Sequence, residues 1–152
     1  MFDLILIDGN YLGYGAFQRA RPRSVKDLDV RSLNGFFNTI HTLRYQYPRA
    51  HLITLWDGRS WRYQHCANYK GNRSKPNGTP SQRKAHKERL LYKSQISILK
   101  NGLRALGIKQ MIASNMEADD LAGMLTAKNA TLHRMLFVTG DKDWLQLLVC
   151  PS

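Results

Sequence analysis

Glu117-Ala118-Asp119-Asp120 places three carboxylates within four residues, in a chain that has 11 acidic residues and a formal net charge of +12. The apolar residues 111–114 before this cluster predict a buried strand, and residues 121–128 after it predict a helix. The cluster is therefore expected where a strand ends and a helix begins, at the edge of an α/β sheet that commonly binds ligands. A local alternative is helix capping, because Ser114-Asn115-Met116-Glu117 fits a capping box and acidic residues suit a first helical turn.

Three more apolar runs end in the same way, with carboxylates directly after a predicted strand. They are residues 4–7 before Asp8, residues 52–56 before Asp57, and residues 135–139 before Asp141 and Asp143. Apolar side chains at helical spacing over residues 32–47, and from about 81 to 106, predict helices between these runs. The order strand, helix, strand predicts an α/β fold with a mostly parallel central sheet flanked by helices.

Three shorter segments complete this prediction. Gly9-Asn10, directly after the first strand, predicts a turn. The polar and basic residues 18–31 predict a loop, and residues 144–148 predict the start of a last helix.

Seven of the 11 acidic residues are thus expected at one edge of the sheet. Like charges brought this close repel one another unless cations lie between the oxygens. Ligands that are all oxygen suit Mg²⁺ or Mn²⁺ better than zinc. The predicted metal ligands are Asp8, Asp57, Glu117, Asp119, Asp120, Asp141 and Asp143.

Residues 59–93 form a basic segment of different character. They contain ten Lys or Arg residues and a single acidic residue, Glu88, with tyrosine and tryptophan side chains interleaved. Basic side chains neutralise phosphates, and aromatic rings stack on bases. This segment predicts a basic arm that contacts nucleic acid, followed by a helix from about Ser81. A basic face that is merely solvated is the alternative.

The composition limits the remaining choices. No apolar run approaches the roughly 20 residues that span a membrane. Two cysteines give neither a disulfide framework nor a zinc spacing, so an intracellular, cytoplasmic protein is expected. No P-loop and no Ser/His/Asp arrangement is present. A pair of cations held by carboxylates hydrolyses phosphodiesters without a protein nucleophile, so the residues predict a metal-dependent nuclease.

Five motifs resemble those of the 5′-3′ exonucleases and flap endonucleases, including phage enzymes and the nuclease domain of bacterial DNA polymerase I. In chain order they are Leu6-Ile7-Asp8-Gly9-Asn10, Trp56-Asp57-Gly58, Tyr69-Lys70-Gly71-Asn72-Arg73, Glu117-Ala118-Asp119-Asp120 and Thr139-Gly140-Asp141-Lys142-Asp143. The resemblance spans nearly the whole chain. It implies a PIN-like fold with a helical arch that accepts a 5′ single-stranded DNA end or flap, in a bacterial or phage-infected cell.

The resemblance also implies a role for individual residues. The ligands of the first metal would be Asp8, Asp57, Glu117, Asp119 and Asp120, and those of the second would be Asp141 and Asp143. Lys70 and Arg73 would stabilise charge on the scissile phosphate and, with Asp57 and Asp119, form the catalytic set. Tyr69 would stack on a base. The other expected phosphate contacts are Arg59, Arg62, Lys75, Arg83 and Lys84.

The chain also departs from the family pattern. The family continues with further metal-binding aspartates and a helix-hairpin-helix region that holds duplex DNA, and residues 1–152, expected to form a single nuclease domain, contain neither. A fragment, or one half of a split enzyme completed by a separate C-terminal nuclease chain, is therefore expected. Such a chain alone should cleave slowly or not at all.

Three alternatives stay open. A PIN-type ribonuclease has a similar acidic crevice but usually lacks a long basic arm. A Toprim-like site would leave Asp8 and Asp57 unexplained. A non-catalytic DNA-binding subunit of a replication or repair complex would retain the acidic residues without cleaving.

Overall fold

The computed structural model of the chain describes residues 1–65 and 78–148, apart from the side chain of Tyr63. The whole Tyr-Lys-Gly-Asn-Arg motif (residues 69–73) lies outside this part, and so do four residues predicted to contact DNA: Tyr69, Lys70, Arg73 and Lys75. Within the described ranges, none of the helices has both the length and the apolar character needed to cross a membrane.

The described residues form six strands, five α-helices and a short 3-10 helix. The strands are β1 (Leu4–Asp8), β2 (Ser24–Val25), β3 (Leu28–Asp29), β4 (His51–Trp56), β5 (Lys109–Ile112) and β6 (Met135–Val138). The α-helices are α1 (Gly9–Arg19), α2 (Arg31–Gln46), α3 (Arg62–His65), α4 (Pro80–Ala105) and α5 (Ala118–Asn129). The 3-10 helix is Lys142–Leu147.

The central sheet has four parallel strands in the order β5-β4-β1-β6. In the register, Asp8 is opposite Leu55 of β4, and Ile7 is opposite Val138 of β6. The chain order of the strands reverses at β1, which has β4 on one side and β6 on the other. An open α/β sheet binds ligands at the carboxyl ends of its strands next to such a reversal. Asp8, the last residue of β1, lies at this position.

Helices cover both faces of the sheet. On one face, Ile5, Ile7 and Trp56 pack with buried side chains of α1, α2 and α4. On the other face, Leu6 and Leu55 pack with α5 and with the 3-10 helix. Successive side chains of a strand point to opposite faces, so the continuous apolar run of β1 fits a strand buried on both sides. The predicted α/β class, with a mostly parallel sheet flanked by helices, is confirmed.

Helix α4 has the boundaries that its sequence predicts. Thr79 accepts a hydrogen bond from the backbone N–H of Gln82, whose side chain in turn accepts one from the N–H of Thr79, which is a capping box. The helix ends before Gly107, which has φ +68°, a conformation that glycine adopts without strain.

Several local predictions were wrong. Gly9-Asn10 does not form a turn but begins α1, and residues 18–31 contain the end of α1 and the small β2–β3 hairpin. Strand β5 is an edge strand with little burial, where Ile112 is 57% exposed. A single apolar run does not distinguish an edge strand from a buried one, because burial depends on which strand is its neighbour.

Candidate metal centre

The carboxyl ends of the four parallel strands surround one crevice of about 280 Å³. Six of the seven predicted metal ligands line it: Asp8, Asp57, Glu117, Asp119, Asp141 and Asp143. The seventh, Asp120, lies beside them, since single oxygens of Glu117, Asp119 and Asp120 are within 4.8 Å of one another. The structure thus brings together the side chains from four separate segments of the sequence.

Asp8 is a buried carboxylate of the crevice, with 8% exposure, and Glu117 is more buried still, with 5%. It caps α1, because its Oδ1 accepts the backbone N–H of Tyr11 at 2.9 Å, and its Oδ2 accepts the Thr139 hydroxyl at 3.2 Å. Burial raises the pKa of Asp8 to about 6, and the neighbouring charges of Asp57 and Asp141 add to the effect. A bound cation would offset both contributions, so the surroundings of Asp8 favour the binding of a cation.

Asp57 follows β4 and reaches across to α5, where its Oδ1 accepts the backbone N–H of Ala118 at 2.9 Å. The two loops also bond directly, from the N–H of Gly58 to the carbonyl of Met116 at 2.8 Å. A Cβ at Gly58 would overlap the carbonyl oxygen of Ala113, so only glycine allows this close approach. The loop after β4 is therefore fixed against the loop before α5.

Glu117 and Asp120 cap α5 reciprocally. The side chain of Glu117 accepts a backbone N–H of the first turn, and Asp120 Oδ2 accepts the N–H of Glu117 at 3.0 Å. The predicted capping box beginning at Ser114 was wrong, because the helix starts three residues later than that box requires. Burial raises the pKa of Asp119, as do the charges of Asp120 and Glu117. Capping and clustering therefore occur together here, although either alone would explain the acidic residues.

Asp141 ends the loop after β6 and caps the 3-10 helix, Asp143 is in the first turn of that helix, and both are exposed. The Oδ1 of Asp141 accepts the N–H of Asp143 at 3.0 Å, and the hydroxyl of Thr139 accepts the N–H of Asp141 at 3.1 Å. Trp144 is buried in the core and contacts Phe137 edge to face. This tryptophan anchors the 3-10 helix, so that the two aspartates stay on the crevice side of the loop.

Of the predicted DNA contacts within the described residues, three are exposed to solvent and one is paired with the acidic cluster. Arg59, Arg83 and Lys84 are exposed. Arg62 is instead bonded to the acidic cluster: one guanidinium nitrogen lies 3.0 Å from Glu117 Oε2, and the other lies 2.8 Å from Asp120 Oδ1. The sequence did not indicate this pairing, because the partners are 55 and 58 residues away.

Two further residues of the crevice, Asn10 and Tyr11, were missed in the sequence. Tyr11 is 50% exposed and lines the crevice together with Asp8, and its ring lies against Gly140. The signal was available in the spacing, since Tyr11 is in the first turn of a helix capped by Asp8. Gly9-Asn10 conceals it, because that pair of residues is typical of a turn.

The donor set fits a hard divalent cation. The crevice offers carboxylate oxygens from Asp8, Asp57, Glu117, Asp119 and Asp141, with no cysteine or histidine among its lining residues. Oxygen ligands of this kind suit Mg²⁺, Mn²⁺ or Ca²⁺. The pKa of Asp8 is raised mainly by burial, with a further contribution from the neighbouring carboxylates, and a cation bound there would offset part of that cost.

Sequence relatives share this core over nearly the whole chain. Residues 3–150 match the family described as "5′-3′ exonuclease, N-terminal resolvase-like domain". DNA polymerase I of Pseudomonas aeruginosa is 31% identical over 150 residues, which cover 95% of this chain and 15% of the polymerase. DNA polymerase I of Mycobacterium bovis is 33% identical over 151 residues, with the same two shares of 95% and 15%. The chain therefore spans about 15% of the length of these relatives.

Solved structures show the same fold. The T5 5′-exonuclease with zinc ions bound has a TM-score of 0.71 and 22% identity, over 97% of this chain and 52% of the phage chain. A bacteriophage T5 flap endonuclease in complex with DNA and metal ions has a TM-score of 0.69 and 23% identity, over 97% and 52%. Human GEN1 with Holliday junction DNA has a TM-score of 0.54 and 18% identity, over 84% and 29%.

These structural likenesses confirm the PIN-like α/β fold, and the match of residues 3–150 confirms the family resemblance. With its carboxylates gathered at the carboxyl ends of a parallel sheet, the chain belongs to the 5′-3′ exonuclease family and corresponds to the N-terminal resolvase-like domain of that family.

Proposed function

We propose that this chain is the catalytic domain of a divalent-metal-dependent 5′-3′ exonuclease or flap endonuclease that hydrolyses DNA phosphodiester bonds. The observation that carries the proposal is the convergence of six carboxylates from four strand ends on one crevice of a protein with a net charge of +12. Carboxylates brought this close repel one another unless cations lie between them, and hydrolysis of phosphodiesters is a reaction that such cations serve.

The cofactor of this proposal is Mg²⁺ or Mn²⁺, with two ions in the complete enzyme. Asp8, Asp57, Glu117 and Asp119 would hold the first ion, and Asp141 and Asp143 would contribute to the second. A bound pair of such ions activates water and stabilises the charge on the attacking and leaving oxygens. Because the carboxylates are already fixed by hydrogen bonds from the backbone at Tyr11, Ala118 and Asp143, little reorganisation is needed on binding.

The residues of the chain itself orient the substrate. Arg59, Arg83 and Lys84 are exposed and would attract the DNA backbone. Lys70 and Arg73 would face the scissile phosphate and stabilise its developing charge, and Tyr69 would stack on a base, with Lys75 as a further phosphate contact. Residues 59–93 would serve as the basic arm of a single nuclease domain formed by residues 1–152.

The proposed substrate is DNA with a 5′ single-stranded end or flap, and the proposed setting is the cytoplasm. One structural neighbour is a phage flap endonuclease in complex with DNA, and another is human GEN1 in complex with Holliday junction DNA. A separate C-terminal nuclease chain as partner stays a prediction. Its test is the addition of such a chain to the cleavage assay described next.

The decisive experiment uses end-labelled 5′-flapped DNA, with single-stranded RNA of the same sequence as the competing substrate. Cleavage of DNA that requires Mg²⁺, and that Asp119→Asn abolishes while DNA binding persists, supports the proposal. Asp27→Asn is the matched control, since Asp27 is an exposed residue of the β2–β3 hairpin. Preferred cleavage of RNA would favour a PIN-type ribonuclease. Binding without cleavage, even with a C-terminal chain added, would favour a non-catalytic subunit.

A further inference from the structure

We propose that Arg62 is a positioning residue that acts as an internal counter-cation of the metal centre and lowers its affinity for divalent ions. This inference rests on the proposed function, because it concerns the same crevice. Arg62 binds Asp120 and one oxygen of Glu117, and it thereby sets how much negative charge the crevice presents to an incoming ion.

The contacts of Arg62 divide the acidic cluster into two parts. Its two terminal nitrogens bond to Asp120 Oδ1 at 2.8 Å and Oδ2 at 3.0 Å, and one of them also bonds to Glu117 Oε2 at 3.0 Å. Asp120 therefore directs both oxygens toward a cation of the protein and is not among the lining residues of the crevice, whereas Asp119 is. We assign Asp120 to the positioning of Arg62 and Glu117 rather than to direct metal binding.

The position of Arg62 is built into the fold. Backbone N–H groups of Gly58, Arg59 and Trp61 donate to carbonyls of the loop before α5, at 2.8 to 3.1 Å. The buried hydroxyl of Ser60 accepts the N–H of Arg62 at 3.2 Å, and the guanidinium lies 5.2 Å from the centre of the Trp61 ring. The segment after β4 thus carries both Asp57 and Arg62, and Arg62 neutralises Glu117 and Asp120 at the start of α5. Backbone hydrogen bonds as well as charge therefore hold Arg62 at the acidic cluster.

Removing Arg62 and removing the charge of Asp120 should change the affinity for a divalent ion in opposite directions. The direction of each change distinguishes a counter-cation from a purely structural residue. Removing Arg62 takes one positive charge away from the crevice, so a divalent ion should bind more tightly. Removing the charge of Asp120 leaves the positive charge of Arg62 beside Glu117, so the ion should bind more weakly. If Arg62 only held the loop in shape, its removal would weaken binding.

The test is a Mn²⁺ titration of the full chain, followed by the electron paramagnetic resonance signal of the free ion. We expect Arg62→Gln to bind Mn²⁺ about tenfold more tightly and Asp120→Asn about tenfold more weakly, since a unit charge a few ångströms from a divalent ion is worth about this much even in a solvent-exposed site. The double variant should return close to the wild-type affinity. Arg62→Lys, which keeps the charge but loses the two-point contact with Asp120, should change Mn²⁺ affinity less than Arg62→Gln does.

Arg59→Gln is the matched control, because it removes the same charge from an exposed neighbour on the same loop. It should change Mn²⁺ affinity much less than Arg62→Gln does. Weaker binding by Arg62→Gln, or a double variant as weak as Asp120→Asn alone, would overturn the proposal. The titration contains no DNA, so its result is independent of whether the chain cleaves DNA.

Discussion

Replacing Asp8 with asparagine should stabilise the metal-free fold at neutral pH. Burial raises the pKa of Asp8 from an ordinary 3.8 to about 6, and a difference of this size corresponds to about 3 kcal/mol of unfavourable charge in the folded state. Asparagine removes the charge while keeping an oxygen that can accept the N–H of Tyr11, and it is a good helix N-cap. The free energy of unfolding should therefore rise by up to about 3 kcal/mol when no divalent cations are present.

The pH dependence of this effect has a definite sign. Below about pH 4 Asp8 is protonated in the folded and the unfolded chain, so the charge costs nothing and the variant has no advantage. The advantage of Asp8→Asn should grow as the pH rises from about 4 to about 6 and be complete above about 6. Excess Mg²⁺ should reverse the order at neutral pH, because the ion stabilises the wild type in proportion to its binding.

Urea unfolding in a chelating buffer at pH 4.5 and at pH 8 measures both effects. Asp27→Asn makes the same chemical change at an exposed turn, where asparagine tolerates the positive φ of 63°, and it corrects for the substitution itself. Equal stability of wild type and Asp8→Asn at pH 8, or a difference that shrinks as the pH rises, would show that burial of the Asp8 charge does not destabilise the fold.

Three other changes test how the crevice is built. In urea unfolding, Gly58→Ala should lower the free energy of unfolding by about 2–3 kcal/mol, because its Cβ meets a backbone carbonyl. Gly123→Ala is the control: the nearest atom to its Cβ is 3.8 Å away, so it should be neutral or slightly stabilising in the same assay. Tyr11→Ala should weaken the binding of single-stranded DNA by about 1–3 kcal/mol, as loss of a stacking ring does, and Tyr11→Phe should retain the affinity in a fluorescence anisotropy titration. Trp144→Ala should cost about 3–5 kcal/mol of stability and, by loosening the loop of Asp141, should weaken Mn²⁺ binding at a pH and temperature where the variant stays folded.

The sheet edge was predictable because each apolar run is short and continuous and has an acidic residue within three positions of its end. Parallel pairing then brings the strand ends to one side without any further information. Asp8 and Asp57 needed only this rule, and the structure places both in the crevice.

What the sequence did not predict depends on contacts between distant segments. Helix α1 contains glycine at positions 9, 13 and 15, which weakens its helical pattern, and it is stabilised by packing against α2 and α4. The pairing of Arg62 with Asp120 depends on two loops that the backbone bonds hold together. In the sequence Arg62 is one of ten basic residues of the arm, with nothing to separate it from the others.

The exposed strand β5 is a third case. Its apolar residues resemble those of a buried strand, but the sheet order places it at the edge, where Met111 is 37% exposed and Ile112 is 57% exposed. Whether a strand is buried or lies at the edge depends on the pairing of all the strands in the sheet.

The most direct test of the metal centre is an anomalous difference map from crystals of the chain grown with Mn²⁺. We expect density within the crevice, bounded by Asp8, Asp57, Glu117, Asp119 and Asp141, with Asp120 still bonded to Arg62. A map with no peak in the crevice at saturating Mn²⁺, or with its strongest peak elsewhere on the molecule, would contradict it.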